Sequence, residues 1–176
     1  MTPRTSRRLG SVRWELLVAV VVPVAAALAL YLWQHDRSSE LESAQRDDRA
    51  AIDAATRVTL AWASVDHRNV DEYVETVKEG STGAFLDEFT ATEQAMRALF
   101  EENQPVQVPT IPKDGVGVLE HKVGSDQATV LVAMDTTVSN KTTKEPMPRE
   151  YRFRVAVTEV DGEWKVSGLE FIDAQS

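Results

Sequence analysis

Eighteen consecutive residues, Leu16–Trp33, carry no charge, and no other feature constrains the fold of this chain more. At about 1.5 Å per residue, a helix of that length spans about 27 Å, close to the roughly 30 Å hydrocarbon thickness of a bilayer. Aromatic rings stand at both ends, Trp14 before the run and Tyr31 with Trp33 at its close. Such rings prefer the headgroup level. Pro23 near the middle is compatible with a kinked spanning helix. A cleaved signal peptide is the rival, with Ala25, Ala26 and Ala27 as the cleavage motif. The apolar run continues through Leu28, Leu30 and Leu32, beyond the roughly 7–15 residues of such a core. The reading is therefore an uncleaved transmembrane helix over residues 14–35, marked by Leu16, Pro23 and Trp33.

Charge orients that helix. Residues 1–33 hold four arginines and one glutamate, a net +3, whereas residues 34–176 hold 15 basic and 27 acidic residues, a net −12. By the positive-inside rule, residues 1–13 form a cytoplasmic basic tail. Residues 36–176 then form an extracytoplasmic domain of a plasma-membrane protein. A domain this acidic repels phosphate backbones, which excludes nucleic acid as a partner. The chain has no cysteine, so disulfides, thiolate metal sites and thiol catalysis are excluded as well.

Between Val24 and Glu79 there is neither Gly nor Pro, and nothing local breaks a helix. Leu41, Ala44, Asp48, Ala51, Ala55, Val58, Trp62 and Val65 fall at helical spacing, and Ser39 with Glu42 reads as a capping box. The same stripe could seat a coiled-coil partner, but it is short and rich in Ala, which favours packing on its own domain. A second helix starts at Asn69 and carries Val70, Tyr73, Val74 and Val77. A third places Phe85, Phe89, Met96, Leu99 and Phe100 on a core stripe.

After Asn103 the period changes. Pro105, Pro109 and Pro112 mark an irregular or edge-like connection. Strands are expected over Val116–Val123, Ala128–Ser139, Arg149–Val160 and Glu163–Ile172, joined by tight turns at Gly124-Ser125-Asp126 and Asp161-Gly162. Helices followed by an antiparallel meander define an α+β fold, helices packed on a curved sheet.

Chemistry is scarce. The histidines are His35, His67 and His121, and none has metal-ligand spacing. Asp66-His67 is an adjacent acid–base pair in a turn, a setting where both groups are ordinarily solvated. His121 shares its strand face with Leu119 and Val123; the reading is a half-exposed strand-end histidine, with an inward direction as the alternative. No nucleophile elbow or phosphate loop occurs, and no cofactor or metal is called for. Arg152 and Arg154 share one strand face with Arg149 nearby; the favoured reading is a solvated sheet face balancing neighbouring acids, with a contact patch in an acidic domain as the alternative. Asn140-Lys141-Thr142 matches a glycosylation sequon and marks the loop before Pro146 and Pro148.

Ser81-Thr82-Gly83-Ala84-Phe85-Leu86-Asp87-Glu88-Phe89 and the run Arg152–Val166 resemble segments of the Mce-associated membrane proteins of actinobacteria. The order of tail, span, Ala-rich helix and outer domain is similar too. The resemblance implies an NTF2-like or VirB8-like cone and a non-catalytic, membrane-anchored accessory of a cell-envelope Mce-type lipid-import system. Its partners would be Mce-type transporter subunits or other envelope proteins. Two further readings stay open: a lipid- or sterol-binding module using Phe153, Val155 and Trp164 inside the cone, and a VirB8-like secretion component. An isomerase- or dehydratase-like enzyme is the weakest reading. Thr82, Gly83, Phe85 and Phe89 are structural members of the motif, with Gly80 and Gly83 expected to supply positive φ.

Overall fold

The computed structural model describes residues 43–122 and 124–172. The expected tail, span and Ser39–Glu42 cap lie outside those residues. Among the described residues, no helix is long and apolar enough to cross a membrane.

The described chain opens within a helix, α1 (residues 43–63). Helices α2 (Val70–Glu79) and α3 (Gly83–Asn103) follow. Five strands come next: β1 (Val106–Thr110), β2 (Val116–His121), β3 (Gln127–Ser139), β4 (Met147–Val160) and β5 (Glu163–Phe171). Every pairing between them is antiparallel.

The sheet is built around β3, which β4 flanks on one side. On the other side β1 and β2 lie end to end, β1 along Asp135–Ser139 and β2 along Ala128–Val132. The junction is closed by the Ala133 N–H donating to the Gly115 carbonyl at 2.6 Å. Gly115 is required there, because a Cβ would stand 2.7 Å from the Ala133 carbonyl oxygen. β1 was expected as an irregular or edge-like connection and is a regular edge strand. Its Pro109 is accommodated because the strand lies at the sheet edge, where one N–H is not needed for the ladder.

Alternation on the strands assigns one face to the core. Val130, Val132, Met134, Phe153, Val155, Val157 and Val166 are at most 1% exposed. Helix α1 covers them with Ala51, Ala54, Ala55, Val58 and Ala63. Those small side chains let the helix axis lie close to the strands. Burying each large side chain on this face contributes about 1.5–3 kcal/mol.

A second cluster joins α2 and α3 through Tyr73, Val74, Val77 and Phe89. Leu99, expected on the core stripe, is instead 55% exposed. At about 100° per residue it sits about 80° around the helix from Phe89, off the line through Met96 and Phe100. The β4–β5 turn is a tight hairpin with Asp161 at φ 53° and Gly162 at φ 83°, the left-handed pair that a two-residue connection of this kind needs.

Candidate functional site

The motif segment Gly80–Phe89 is where the two clusters and the sheet edge meet. The Gly80 carbonyl accepts from the Val166 N–H at 2.9 Å, and the Thr82 N–H donates to the Val166 carbonyl at 2.8 Å. The segment therefore pairs with edge strand β5 for a single bridge. Ser81 is buried and its hydroxyl donates to the Val77 carbonyl at 2.5 Å. Gly83 opens α3 at φ 54°, as expected, but Gly80 is at φ −84°. The expectation of positive φ fails at Gly80. Its need for hydrogen comes from packing, since a Cβ there would meet Val58 Cγ2 at 2.3 Å. Phe85 then packs against both clusters and Phe89 is buried in the second. Thr82 makes no side-chain cap bond. These residues build the fold and offer no group for chemistry.

The candidate arginine patch is divided by the sheet. Register places Arg152 opposite Ala133 and Arg154 opposite Leu131, on the outer face, with Arg154 held by Glu170 at 3.3 Å. Arg149 is opposite Thr136, on the face that carries Phe153 and Val155. One strand residue's shift in parity sends a side chain to the other face, so the three arginines do not form one surface.

His121 is held inside. Register shifts between Val118 and Glu120, so an extra residue bulges at Leu119. A bulge re-aims the side chains beyond it. Leu119 turns out to 46% exposure, while His121 pairs with Ala128 on the core face. The His121 side chain is 4% exposed. Its Nδ1 lies 2.5 Å from Asp48 Oδ1 on α1, and its Nε2 lies 3.4 Å from the Ser125 carbonyl. The ring stands edge-on to Trp164 at 5.7 Å. The hydrogen bond to Asp48 raises the imidazole pKa above its ordinary value, against the opposing effect of burial. With both ring nitrogens engaged inside the protein, the pair ties α1 to the sheet and leaves no nitrogen facing a substrate. The signal available in sequence was Asp48 itself, an acid on the otherwise apolar α1 stripe.

Asp66 and His67 come within ion-pair distance but share no hydrogen bond. Asp66 instead accepts from the Arg68 guanidinium at 2.6 and 2.8 Å and from the Arg68 backbone N–H at 2.9 Å. Chiefly through that guanidinium, its carboxyl is lowered to about 2. His67 Nδ1 is 3.8 Å away. Between α2 and α3, Lys78 and Arg97 flank Glu93 at 2.5 and 2.8 Å, and Arg97 also reaches Asp71. The two cations hold the Glu93 carboxyl below its usual range, Lys78 first. Burial pushes the Tyr73 phenol up, and its hydroxyl donates to the Trp62 carbonyl at 3.1 Å. Asn140 forms a local turn, its side-chain oxygen accepting from Thr142 and Thr143.

Among the described residues, Phe153 and Val155 are fully buried beneath α1 and line no chamber, whereas Trp164, 7% exposed, reaches the wall of a surface groove. That groove of about 540 Å³ runs between α1, the end of α2 and the β4–β5 turn, with Asp53, Arg57, Glu79 and Glu163 on its walls. Among the described residues, no group of three or more His, Asp or Glu side chains comes together to hold a metal ion.

Helices packed on a curved antiparallel sheet define an α+β domain, a fold shared by solved VirB8-like domains. The structure matches the periplasmic domain of DotI with a TM-score of 0.53 at 15% identity, over 72% of this chain and 96% of that one. It matches CagV, a VirB8 homolog of the type IV secretion system from Helicobacter pylori, with a TM-score of 0.51 at 10% identity, over 72% of this chain and 99% of that one. The chain belongs to the family described as uncharacterized protein Rv1363c/MT1408-like, whose model matches residues 11–173. The uncharacterized protein Rv1363c of Mycobacterium tuberculosis is 28% identical over 167 residues, 94% of this chain. This chain spans 60% of that relative's length.

Proposed function

We propose that the protein is a membrane-anchored, non-catalytic accessory of the cell envelope, whose α+β domain acts outside the cytoplasm by docking on other envelope proteins. The observation that carries this reading is the filled core face. Phe153, Val155, Val130 and Val132 lie fully buried beneath α1, so the part of the fold that could enclose a substrate is packed solid. General acid–base chemistry needs a group poised at a pocket, and His121 is spent on an internal tie. The domain is left with its surface. The uncharged run Leu16–Trp33 and the charge asymmetry around it support the anchor and its orientation.

The assembly we assign is an Mce-type lipid-import system, with the protein stabilising or docking the transporter. Support comes from the motif Ser81–Phe89 and from the order of parts along the chain. Purification of the tagged full-length protein from membranes in mild detergent is expected to recover Mce-type transporter subunits. Recovery of the bait alone would defeat the assignment. A reporter active only outside the cytoplasm, fused after Ser176, is expected to be active. The likeness to CagV and to DotI's periplasmic domain favours a second reading, a component of a secretion-type assembly. The same purification separates the two by the subunits it returns.

A further inference from the structure

The core face of β4 runs past the cover that α1 provides. Phe153 is fully buried, but on the same face Tyr151 is half-buried and Met147 is 40% exposed, and Phe171, opposite Phe153 on β5, is 52% exposed. Phe171 is held in place despite its exposure. Its ring centroid lies 4.7 Å from Phe153, 5.8 Å from Trp62 and 5.9 Å from Tyr151. A large apolar ring fixed in advance loses little freedom when it is covered, which is the character of an interface anchor.

Arg149 stands on this strip between Met147 and Tyr151. Among the described residues its guanidinium has no ion pair. Opposite Met147, Arg149 and Tyr151 on β3 lie Val138, Thr136 and Met134, and beyond them β1 offers Gln107 and Pro109. None of these is an acid, and the neighbouring Glu150 has the parity of the other face. In a domain of net −12, Arg149 is thus a cation for which the described residues supply no carboxylate.

We propose that this strip is the surface on which the domain takes its protein partner. The partner would lay apolar side chains along the strip, one on Phe171 and another on Met147 about 20 Å further along β4, and give an Asp or Glu carboxylate to Arg149 between them. An arginine fork binds a carboxylate through two parallel hydrogen bonds, and arginine beside aromatic rings is the composition of interface hot spots. An anionic bilayer is disfavoured as the occupant, because it would face the whole −12 domain and not one arginine. The proposal rests on the reading of the protein as a docking accessory and names the face and the chemistry that do the docking.

The test uses the full-length protein in its own membranes, with the photoreactive residue benzoylphenylalanine in place of Met147, and in place of Thr158 on the outer face as control. Illumination is expected to give a covalent adduct with a second protein at 147 and none at 158. Mass spectrometry of the 147 adduct should find Asp or Glu within a few residues of the linked site. Adding Arg149→Glu is expected to lower the adduct yield about tenfold, the size of one lost charge-assisted contact. Changing the partner's acid to arginine should restore it. Unaltered far-UV circular dichroism of the exposed-site variant checks its fold. No adduct, an adduct with lipid or with a second copy of this chain, a partner segment without an acid, or a yield indifferent to Arg149→Glu would overturn the proposal. Co-purification of Mce-type subunits undiminished by Arg149→Glu would leave the functional reading standing and remove this surface. An acid-bearing adduct on a protein of some other assembly would do the reverse.

Discussion

The two ends of the sheet face beneath α1 use the same materials and finish differently. At one end an aromatic ring, Trp164, meets His121, and Asp48 of α1 closes over the pair. At the other end Trp62 of α1 meets Phe153 and Phe171, and the closure stops short, leaving Phe171 half in solvent. One helix crosses both ends, so helix packing alone does not explain the contrast. The sealed end has a side-chain tie between α1 and the sheet. At the open end the chain leaving α1 is held by backbone bonds such as the Gln107 N–H to the Val65 carbonyl at 2.7 Å, and Phe171 is held by ring contacts. Among the described residues, Arg149 there has no carboxylate. Sealing serves stability. An open apolar end that is nonetheless rigid is the sort of surface a partner completes.

Substitutions can break or sharpen that contrast. The largest effect is expected midway between the ends. Phe153→Ala should cost about 3–5 kcal/mol, through lost burial plus a cavity that α1 cannot collapse into, measured by urea unfolding of the soluble domain. Retained stability within about 1 kcal/mol would mean that the face is not one continuous core. Gly80→Ala comes next, at about 1–3 kcal/mol, because the new Cβ drives into Val58. Combining it with Val58→Ala should recover part of the loss, a coupling that only direct contact gives.

At the sealed end, His121→Gln should cost about 1–2 kcal/mol at acidic pH. Because folding raises the imidazole pKa, the charged form is the one the fold favours. The wild-type advantage is therefore fully present below the unfolded value of about 6.5 and is lost as pH rises through the higher folded value. Denaturant titrations at several pH values should show the gap between wild type and variant narrowing on the alkaline side. A gap that widens there would show that the imidazole is held neutral. At the open end, Phe171→Ala is expected to cost only about 1 kcal/mol. Arg149→Glu should stay within about 0.5 kcal/mol, while the adduct at residue 147 falls as described above. A large loss of stability at either residue would turn the open end into core and erase the contrast.

Much of the fold was legible in the sequence because it rests on periodicity. The alternation Tyr151, Phe153, Val155, Val157 places β4 without reference to anything distant, and the helical spacing of Ala51, Ala55, Val58 and Trp62 places α1. Strand β1 was legible only as an irregular or edge-like connection, since three prolines speak against a regular strand until a neighbour makes it an edge. The contact patch was read as one surface because its members are close in sequence, and strand parity separates them. His121 reads from the sequence as half exposed and is in fact held inside, because the bulge at Leu119 has no sequence signature and a single inserted position decides which side chains face in.

What the sequence settled by itself concerns quantities that add along the chain: the 18-residue uncharged run, the +3 and −12 halves, the missing cysteine, and the helical and strand periods. What the tertiary structure alone decided concerns pairs distant in sequence: Asp48 with His121, Gly80 against Val58, Thr82 on Val166, and Phe171 against Trp62. Periodicity reports which face of an element is apolar. The partner that face meets, and the point where cover ends and solvent begins, depend on register and close packing, which exist only once the chain has folded.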